Sequence, residues 1–224
     1  MKSKIIKLAF IDTETTGLDP ILNDPVQIAI VYKELILHHS TLNRFSFSFT
    51  PTTDHKVFYL KPINFDSVSQ KALDINGFSI EKLNTFPDAK IVFTELIAFL
   101  DSKVKKYDKT DKLFPAGYSV KFDMDMLFSL ANKLHFNYLG SYFSRKTIDV
   151  YDHFRHLSLL FPSAFNDDIK LKTVCEICSV PLVSAHDALS DITASISLFT
   201  EIMLPQLSLI QNSDLKIMGK FKFL

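Results

Sequence analysis

Two carboxylates near the start of the chain have the spacing of metal ligands. Asp12 and Glu14 follow residues 5–11, a largely apolar run that predicts a buried β-strand. On a strand, side chains two positions apart point to the same face, about 7 Å from each other. Two such carboxylates repel each other unless cations lie between them, and oxygen-rich sites of this kind suit Mg²⁺ or Mn²⁺. A lone Asp-x-Glu pair also occurs in exposed turns, so its place after an apolar strand is what favours a metal site.

A third carboxylate, Asp123, lies in the apolar stripe of a predicted helix. At 100° per residue, Leu127, Leu130 and Leu134 fall within about 40° of Asp123, whereas Asp125 falls on the polar face. An unpartnered buried carboxylate is costly, so Asp123 requires a metal, a proton or a strong hydrogen-bond donor. The alternatives at this position are therefore a metal ligand and a hydrogen-bonded structural carboxyl.

His186 and Asp191 lie at the start of a later predicted helix. Asp191 is at the edge of the apolar stripe of that helix, and His186 precedes it, from where its ring could reach a site that contains Asp191. A histidine near neutral pKa beside activated water is a natural general base. A single histidine before a helix is more often an ordinary surface residue, so this assignment depends on the other two stretches.

The elements around these residues predict an α/β domain. Hydrophobic patterns predict strands at 4–12, 26–32, 45–49, 57–60, 113–118 and 147–150, and helices at 67–73, 79–83, 89–103, 122–134 and over most of the chain up to 203. Pro205 is expected to end the last helix. Early strands with helices interleaved later favour a mixed central β-sheet flanked by helices. We expect one domain over 1–203 and a C-terminal tail of uncertain role over 204–224.

The composition is that of a globular protein that does not bind nucleic acid through bulk charge. The chain has 224 residues, of which 47% are hydrophobic, and a formal net charge of zero. No apolar run approaches the roughly 18 residues of a membrane helix, and a signal-peptide cleavage pattern is missing. Bound metal ions would add local positive charge that this count omits. We therefore expect a soluble, cytoplasmic protein.

Two further patterns have both ordinary and functional interpretations. The lysine-rich segment 103–112 reads as a solvated connection, with a phosphate-binding rim as the alternative. Cys175 and Cys178 form a Cys-x-x-Cys in a helical stretch. Since no second pair of metal ligands accompanies them, ordinary helix packing is the favoured interpretation.

Together, the three stretches resemble the DEDDh-type 3′→5′ exonuclease family. The matching motifs are FIDTETTGL at 10–18, GYSVKFDMDML at 117–127 and HDALSD at 186–191. The family includes the epsilon proofreading subunit of DNA polymerase III, exonuclease I, exonuclease X and ribonuclease T. The His-x-Ala-x-x-Asp spacing separates this branch from relatives that use Tyr. The resemblance runs from about Leu8 to Ala194 and implies a ribonuclease H-like fold.

The resemblance also implies a role for each motif residue. It implies two divalent ions, Mg²⁺ or Mn²⁺, a general base, and contacts from the first motif to the terminal nucleotide. The implied metal ligands are Asp12, Glu14, Asp123 and Asp191, the implied base is His186, and the implied substrate contacts are Thr13, Thr15, Thr16 and Gly17. Relatives often have Asn where this chain has Ser119. We interpret Asp149, in a segment where an acid is common in the family, as structural.

The activity that the resemblance implies is hydrolysis from a 3′ end. Nucleoside 5′-monophosphates would be removed from single-stranded or frayed DNA by a proofreading or repair enzyme, and proofreading would require a DNA polymerase as a partner in trans. The alternative is trimming of RNA 3′ ends, as in ribonuclease T or oligoribonuclease. A non-catalytic module that binds nucleic acid is less favoured, because all five motif residues are present.

Overall fold

Six β-strands form a mixed sheet in the computed structural model, which describes residues 3–39, 45–51 and 54–212. The strands are β1 (Ser3–Thr15), β2 (Pro25–His39), β3 (Phe45–Phe49), β4 (Asp54–Tyr59), β5 (Leu113–Gly117) and β6 (Ile148–Asp149). Their order is β3-β2-β1-β5-β6, and β4 also pairs with β2. The pairs made by β2 are antiparallel, whereas β1–β5 and β5–β6 are parallel. The predicted mixed sheet is confirmed.

Helices cover both faces of this sheet. They are α1 (Gln70–Asn76), α2 (Ile80–Asn84), α3 (Ala89–Asp101), α4 (Val120–Lys133), α5 (Val150–Leu160), α6 (Pro162–Phe165), α7 (Leu171–Cys178), α8 (Ala188–Ser197) and α9 (Leu204–Asn212), with a π-helical segment at Leu198–Met203. Helices α3 and α4 share one core with the sheet, and α5 to α9 share the other. Among the described residues, no helix is long and apolar enough to span a membrane.

Strand β1 lies at the centre of the sheet and is buried on both faces. Ala9 and Ile11 pack in the core with α3 and α4, while Leu8 and Phe10 pack in the core with α8. This double burial explains why the sequence shows a nearly continuous apolar run instead of strict alternation. The carboxylates begin at Asp12, so the fold places them at the carboxyl end of β1, between the two helical layers.

The helical run continues past Pro205, and our expectation that it ends there was wrong. Pro205 occupies the second position of α9, directly after the π-helical segment. In that segment the Leu204 N–H donates to Phe199 O, five residues back. Proline lacks an N–H and clashes with the carbonyl four residues before it in an α-helix, and the wider π turn accommodates both constraints. The part of the predicted tail at 213–224 lies outside the described residues.

The lysine-rich segment 103–112 is placed at the end of β1 remote from Asp12. Lys7, which pairs with Leu113 in the β1–β5 ladder, forms an ion pair with Asp111 at 2.7 Å. Lys103 forms an ion pair with Asp54, and Lys112 donates to the carbonyl oxygens of residues 106 and 141. These contacts tie the segment to the fold, which favours a structural connection over a phosphate-binding rim.

The two cysteines lie on α7 and take part in packing. Cys175 is buried in the core shared with α8, and Cys178 is half-buried beside it. Burial raises the pKa of the Cys175 thiol to about 11, which disfavours the thiolate that redox or metal chemistry requires. Both thiols are free. The geometry agrees with the helix-packing interpretation.

Candidate active site

The first motif, at residues 10–18, places side chains on both faces of the sheet at the carboxyl end of β1. Asp12 and Glu14 share one face of the strand, and Thr13 lies on the opposite face. The Thr13 hydroxyl donates to Asp123 Oδ1 at 2.8 Å, so the strand holds the second-motif carboxylate directly. Asp123 is 3% exposed and lies in the first turn of α4. The burial predicted for Asp123 is therefore observed.

The close approach of β5 to β1, just before α4 begins, depends on Gly117. A Cβ atom at Gly117 would lie 2.8 Å from Ile11 O, so a larger residue would push β5 away from β1. Ser119, the residue before α4, has a left-handed backbone with φ 65°. Its N–H donates to Asp149 Oδ1 at 2.9 Å, and the same oxygen accepts from Tyr151 N at the start of α5. Asp149 thus has the capping geometry of a structural residue.

We expect Ser119→Asn to raise the melting temperature by about 1–3 °C, because asparagine tolerates the left-handed region better than serine. The Asp149 contact is to the backbone N–H and is retained in the variant. Thermal unfolding followed by circular dichroism measures the shift. Ser102→Asn is the matched control, since Ser102 has a right-handed backbone with φ −71°. Equal shifts for both variants would contradict the backbone explanation.

The third motif is positioned by the N-terminus of α8. Asp187 caps the helix by accepting from Ser190 N at 3.0 Å, which places Asp191 one turn later in the first turn of α8. His186 precedes the cap with a left-handed backbone, φ 64°, and its N–H donates to Asp191 Oδ2 at 3.4 Å. Possible ligand atoms of Glu14, His186 and Asp191 all lie within 4.8 Å of one another.

Burial raises the pKa of all four predicted metal ligands, and repulsion from the other ligands adds to the rise at Asp12 and Glu14. For Asp12, burial is the largest cause, followed by repulsion from Asp123, Asp191 and Glu14. Burial raises the pKa of Glu14 to about 8, with repulsion from Asp191 adding to it. Burial also raises the pKa of Asp123 to about 8, although the hydrogen bond from Thr13 opposes this shift. Burial is also the largest cause of the rise in the pKa of Asp191, to about 6.

These carboxyl groups fit divalent cations. Asp191 Oδ1 is buried and has no hydrogen-bond partner among the described residues, so its surroundings fit an electropositive ligand such as a cation. Four carboxylates that repel one another are the hard oxygen donors that Mg²⁺ and Mn²⁺ prefer. Asp12 lies close enough to the other three for their charges to raise its pKa. The structure therefore gathers the predicted ligands in one place and puts His186 beside them.

A row of polar side chains crosses β1, β2 and β4 and was not predicted from the sequence. Gln27 on β2 lies opposite both Glu14 and Tyr59 in the strand register. Its buried amide donates to Tyr59 OH at 3.1 Å and to Asp187 Oδ2 at 3.5 Å. The row therefore connects the first motif to the cap of α8. A glutamine within the otherwise apolar stretch 25–31 was the only signal for this row in the sequence.

A cavity of about 650 Å³ opens beside Glu14, between β1, α1 and the start of α4. We call it the substrate cavity. Its apolar wall includes Leu18, Ile75 and Phe122, and the predicted contact residues Thr13, Thr15 and Gly17 also line it. A Cβ atom at Gly17 would clash with the side-chain amide of Asn23, so a larger residue there would displace the group that accepts from Asp19 N.

Thr16, the remaining predicted contact residue, faces into the first-motif loop. It is fully buried, and its hydroxyl accepts from Asp24 N at 2.9 Å. Its backbone oxygen accepts from Ser69 N at 2.8 Å, which ties the loop to the start of α1. Asn76, at the end of α1, donates to Thr15 O at 3.1 Å. Thr16 and Asn76 therefore hold the wall of the substrate cavity, and Thr16 does not line it.

Solved structures of exonuclease I are similar to this chain in fold. The zinc-bound complex of the Escherichia coli enzyme with single-stranded DNA has a TM-score of 0.68 and 19% identity, over 92% of this chain and 42% of that chain. The E. coli complex with a dT13 oligonucleotide has a TM-score of 0.64 and 19% identity, over 90% and 42%. A product-bound exonuclease I has a TM-score of 0.66 and 18% identity, over 92% and 45%. The chain thus spans less than half the length of these proteins.

The amino-acid sequence matches the model of a known protein family. No curated protein sequence matches the chain. A family model described as exonuclease (RNase_T) matches residues 9–199, a range that contains all three motifs. This match and the shared fold confirm the resemblance to DEDDh-type exonucleases and the ribonuclease H-like fold predicted from them. The chain belongs to the RNase_T exonuclease family.

Proposed function

We propose that this chain is a metal-dependent 3′→5′ exonuclease that releases nucleoside 5′-monophosphates from the 3′ end of single-stranded DNA. The observation that carries the proposal is the cluster of repelling carboxylates, with an unpartnered Asp191 oxygen, at the mouth of an apolar cavity. Membership of the exonuclease family supports the class of reaction. The single-stranded DNA bound in the exonuclease I structures supports the choice of substrate.

Each motif residue has a role in this reaction. Asp12, Glu14, Asp123 and Asp191 would hold two divalent cations, which polarise the scissile phosphate and stabilise the leaving 3′ oxygen when bound. His186 accepts the proton of the attacking water, because its ring lies within 4.8 Å of the Glu14 and Asp191 carboxylates and outside the buried core. The α8 cap at Asp187 fixes the backbone that carries this base.

The substrate cavity would hold the terminal nucleoside. Leu18, Ile75 and Phe122 provide apolar surface for the base, and the cavity is of the size that encloses a small ligand. Leu18 is 83% exposed, so its side chain is accessible to a base bound in the substrate cavity.

We therefore expect Leu18→Ala to raise KM for single-stranded DNA about tenfold, because the base loses its apolar contact. Steady-state release of mononucleotide from a labelled oligonucleotide measures the change. Ile21→Ala is the matched control: Ile21 is 79% exposed in the same loop but does not line the substrate cavity. A similar rise in KM for both variants would show that the loop as a whole, and not Leu18, is responsible.

The proposed activity is tested with matched 5′-labelled single-stranded DNA and RNA oligonucleotides, each with Mg²⁺, Mn²⁺ or EDTA. We expect a ladder that shortens from the 3′ end of the DNA, requires metal and is absent with Asp12→Ala. Faster shortening of the RNA would replace DNA by RNA as the substrate. No degradation of either strand in any metal would overturn the proposal and leave a nucleic-acid-binding module on the same fold.

A further inference from the structure

A second cavity, of about 490 Å³, lies on another flank of α4. Helix α4 separates the two cavities: Phe122 lines the substrate cavity, whereas Met124 and Phe128 line the second cavity. The opposite wall of the second cavity comes from the segment between α4 and β6 and includes Asn137 and Arg145. Nothing in the proposed hydrolysis uses this cavity.

The lining of the second cavity has the chemistry of a site for single-stranded nucleic acid. No carboxylate lines it. Arg145 is exposed and forms no ion pair within the described part of the chain, whereas Arg155 forms an ion pair with Asp152. Phe128 is 38% exposed, so part of an aromatic ring is accessible at the cavity. A free guanidinium beside an exposed ring offers phosphate binding and base stacking together.

The second cavity is held at a fixed place relative to the reacting phosphate. Phe128 follows Asp123 by five residues on α4, which is about 7.5 Å along the helix axis. The segment that carries Arg145 leads into β6, and Asp149 at the end of β6 accepts from the Ser119 N–H at the start of α4. Both walls are therefore anchored to the helix that provides a predicted metal ligand.

We propose that the second cavity binds the DNA strand on the 5′ side of the scissile phosphate, with a base stacked on Phe128 and a phosphate on Arg145. This inference rests on the proposed exonuclease function and adds a subsite remote from the reacting bond. A strand that leaves the carboxylate cluster would pass the exposed residues Ser119 and Lys121 at the start of α4 and enter the second cavity. A dinucleotide without a 5′ phosphate contains only the scissile phosphate, so it has no phosphate to place on Arg145.

The test compares a dinucleotide with a single-stranded DNA octamer as substrates. We expect Phe128→Ala and Arg145→Ala each to raise KM for the octamer about tenfold and to leave kcat/KM for the dinucleotide unchanged. Phe128→Tyr retains the ring and is expected to keep the KM of the original protein. Tyr107→Ala and Lys109→Ala are matched controls, because both residues are exposed and neither lines the second cavity. Melting temperatures show that each variant is folded.

Each outcome decides the question. A loss confined to the octamer, with Phe128→Tyr active and both controls unaffected, supports the subsite. Equal losses on both substrates, no loss on either, or the same loss with Lys109→Ala would overturn it. Should Phe128→Ala unfold, the exposed Arg145→Ala variant decides alone. If the unmodified protein digests neither substrate, the proposed function fails, and this result is distinct from failure of the subsite.

Discussion

Replacing Asp123 by Asn is expected to lower the exonuclease rate by about 10³-fold while raising the melting temperature of the metal-free protein. The rate falls because the variant weakens the binding of a cation that stabilises the transition state by several kcal/mol. The melting temperature rises because burial raises the pKa of Asp123 to about 8, so that the ionised carboxylate destabilises the metal-free fold above this pH. The amide oxygen of Asn can still accept from the Thr13 hydroxyl, so the packing is retained.

This prediction has a matched control on the same helix. Asp125 is only partly buried and forms an ion pair with Lys121, so Asp125→Asn is expected to leave the rate unchanged and to give no gain in stability. Rates on a labelled oligonucleotide and melting temperatures in EDTA, at a pH above 8, measure both effects. An Asp123→Asn protein that melts below the original protein would show that this carboxylate stabilises the fold, contrary to our interpretation.

The sequence was sufficient for the parts of the site that depend on local pattern. Asp12 and Glu14 could be placed because an apolar strand precedes them, and Asp123 because it interrupts a helical apolar stripe. His186 had no such signal, and only its spacing from Asp191 identified it. Local periodicity thus gives the face that a residue occupies, and the spacing within the third motif identifies the general base.

The parts of the site that the sequence did not reveal depend on strand register and on packing between distant segments. Gln27 reaches Asp187 only because β2 pairs with β1 in a particular register, and such long-range pairing has no local pattern. The substrate cavity likewise requires α1 to pack beside the first-motif loop, through Asn76 and Thr15. Pro205 misled the prediction because a π turn removes the constraint that normally ends a helix.

Without metal, the protein is expected to lose stability as the pH rises from about 4.5 to about 8, the window between the ordinary pKa of Glu14 and its raised value. A carboxyl whose pKa is raised by folding binds its proton more tightly in the folded state, so its stabilising contribution is complete below the ordinary pKa and is lost above the raised one. Asp123 and Asp191 shift in the same direction. We expect the melting temperature in EDTA to fall by roughly 5–10 °C across this window.

Divalent cations are expected to reverse this trend. Mn²⁺ or Mg²⁺ binds the ionised carboxylates of the folded state, so the rise in melting temperature should be larger near pH 8 than near pH 5, where protons compete for Glu14. Scanning calorimetry with and without metal at several pH values measures both trends, and Asp123→Asn should flatten the metal-free slope. Asp54 and Asp111 have lowered pKa values, so their contributions to stability are lost as the pH falls. This loss occurs only below the window from about 4.5 to about 8. A metal-free melting temperature that rises between pH 5 and 8 would therefore show that the four carboxylates do not form the repelling cluster on which the proposed chemistry depends.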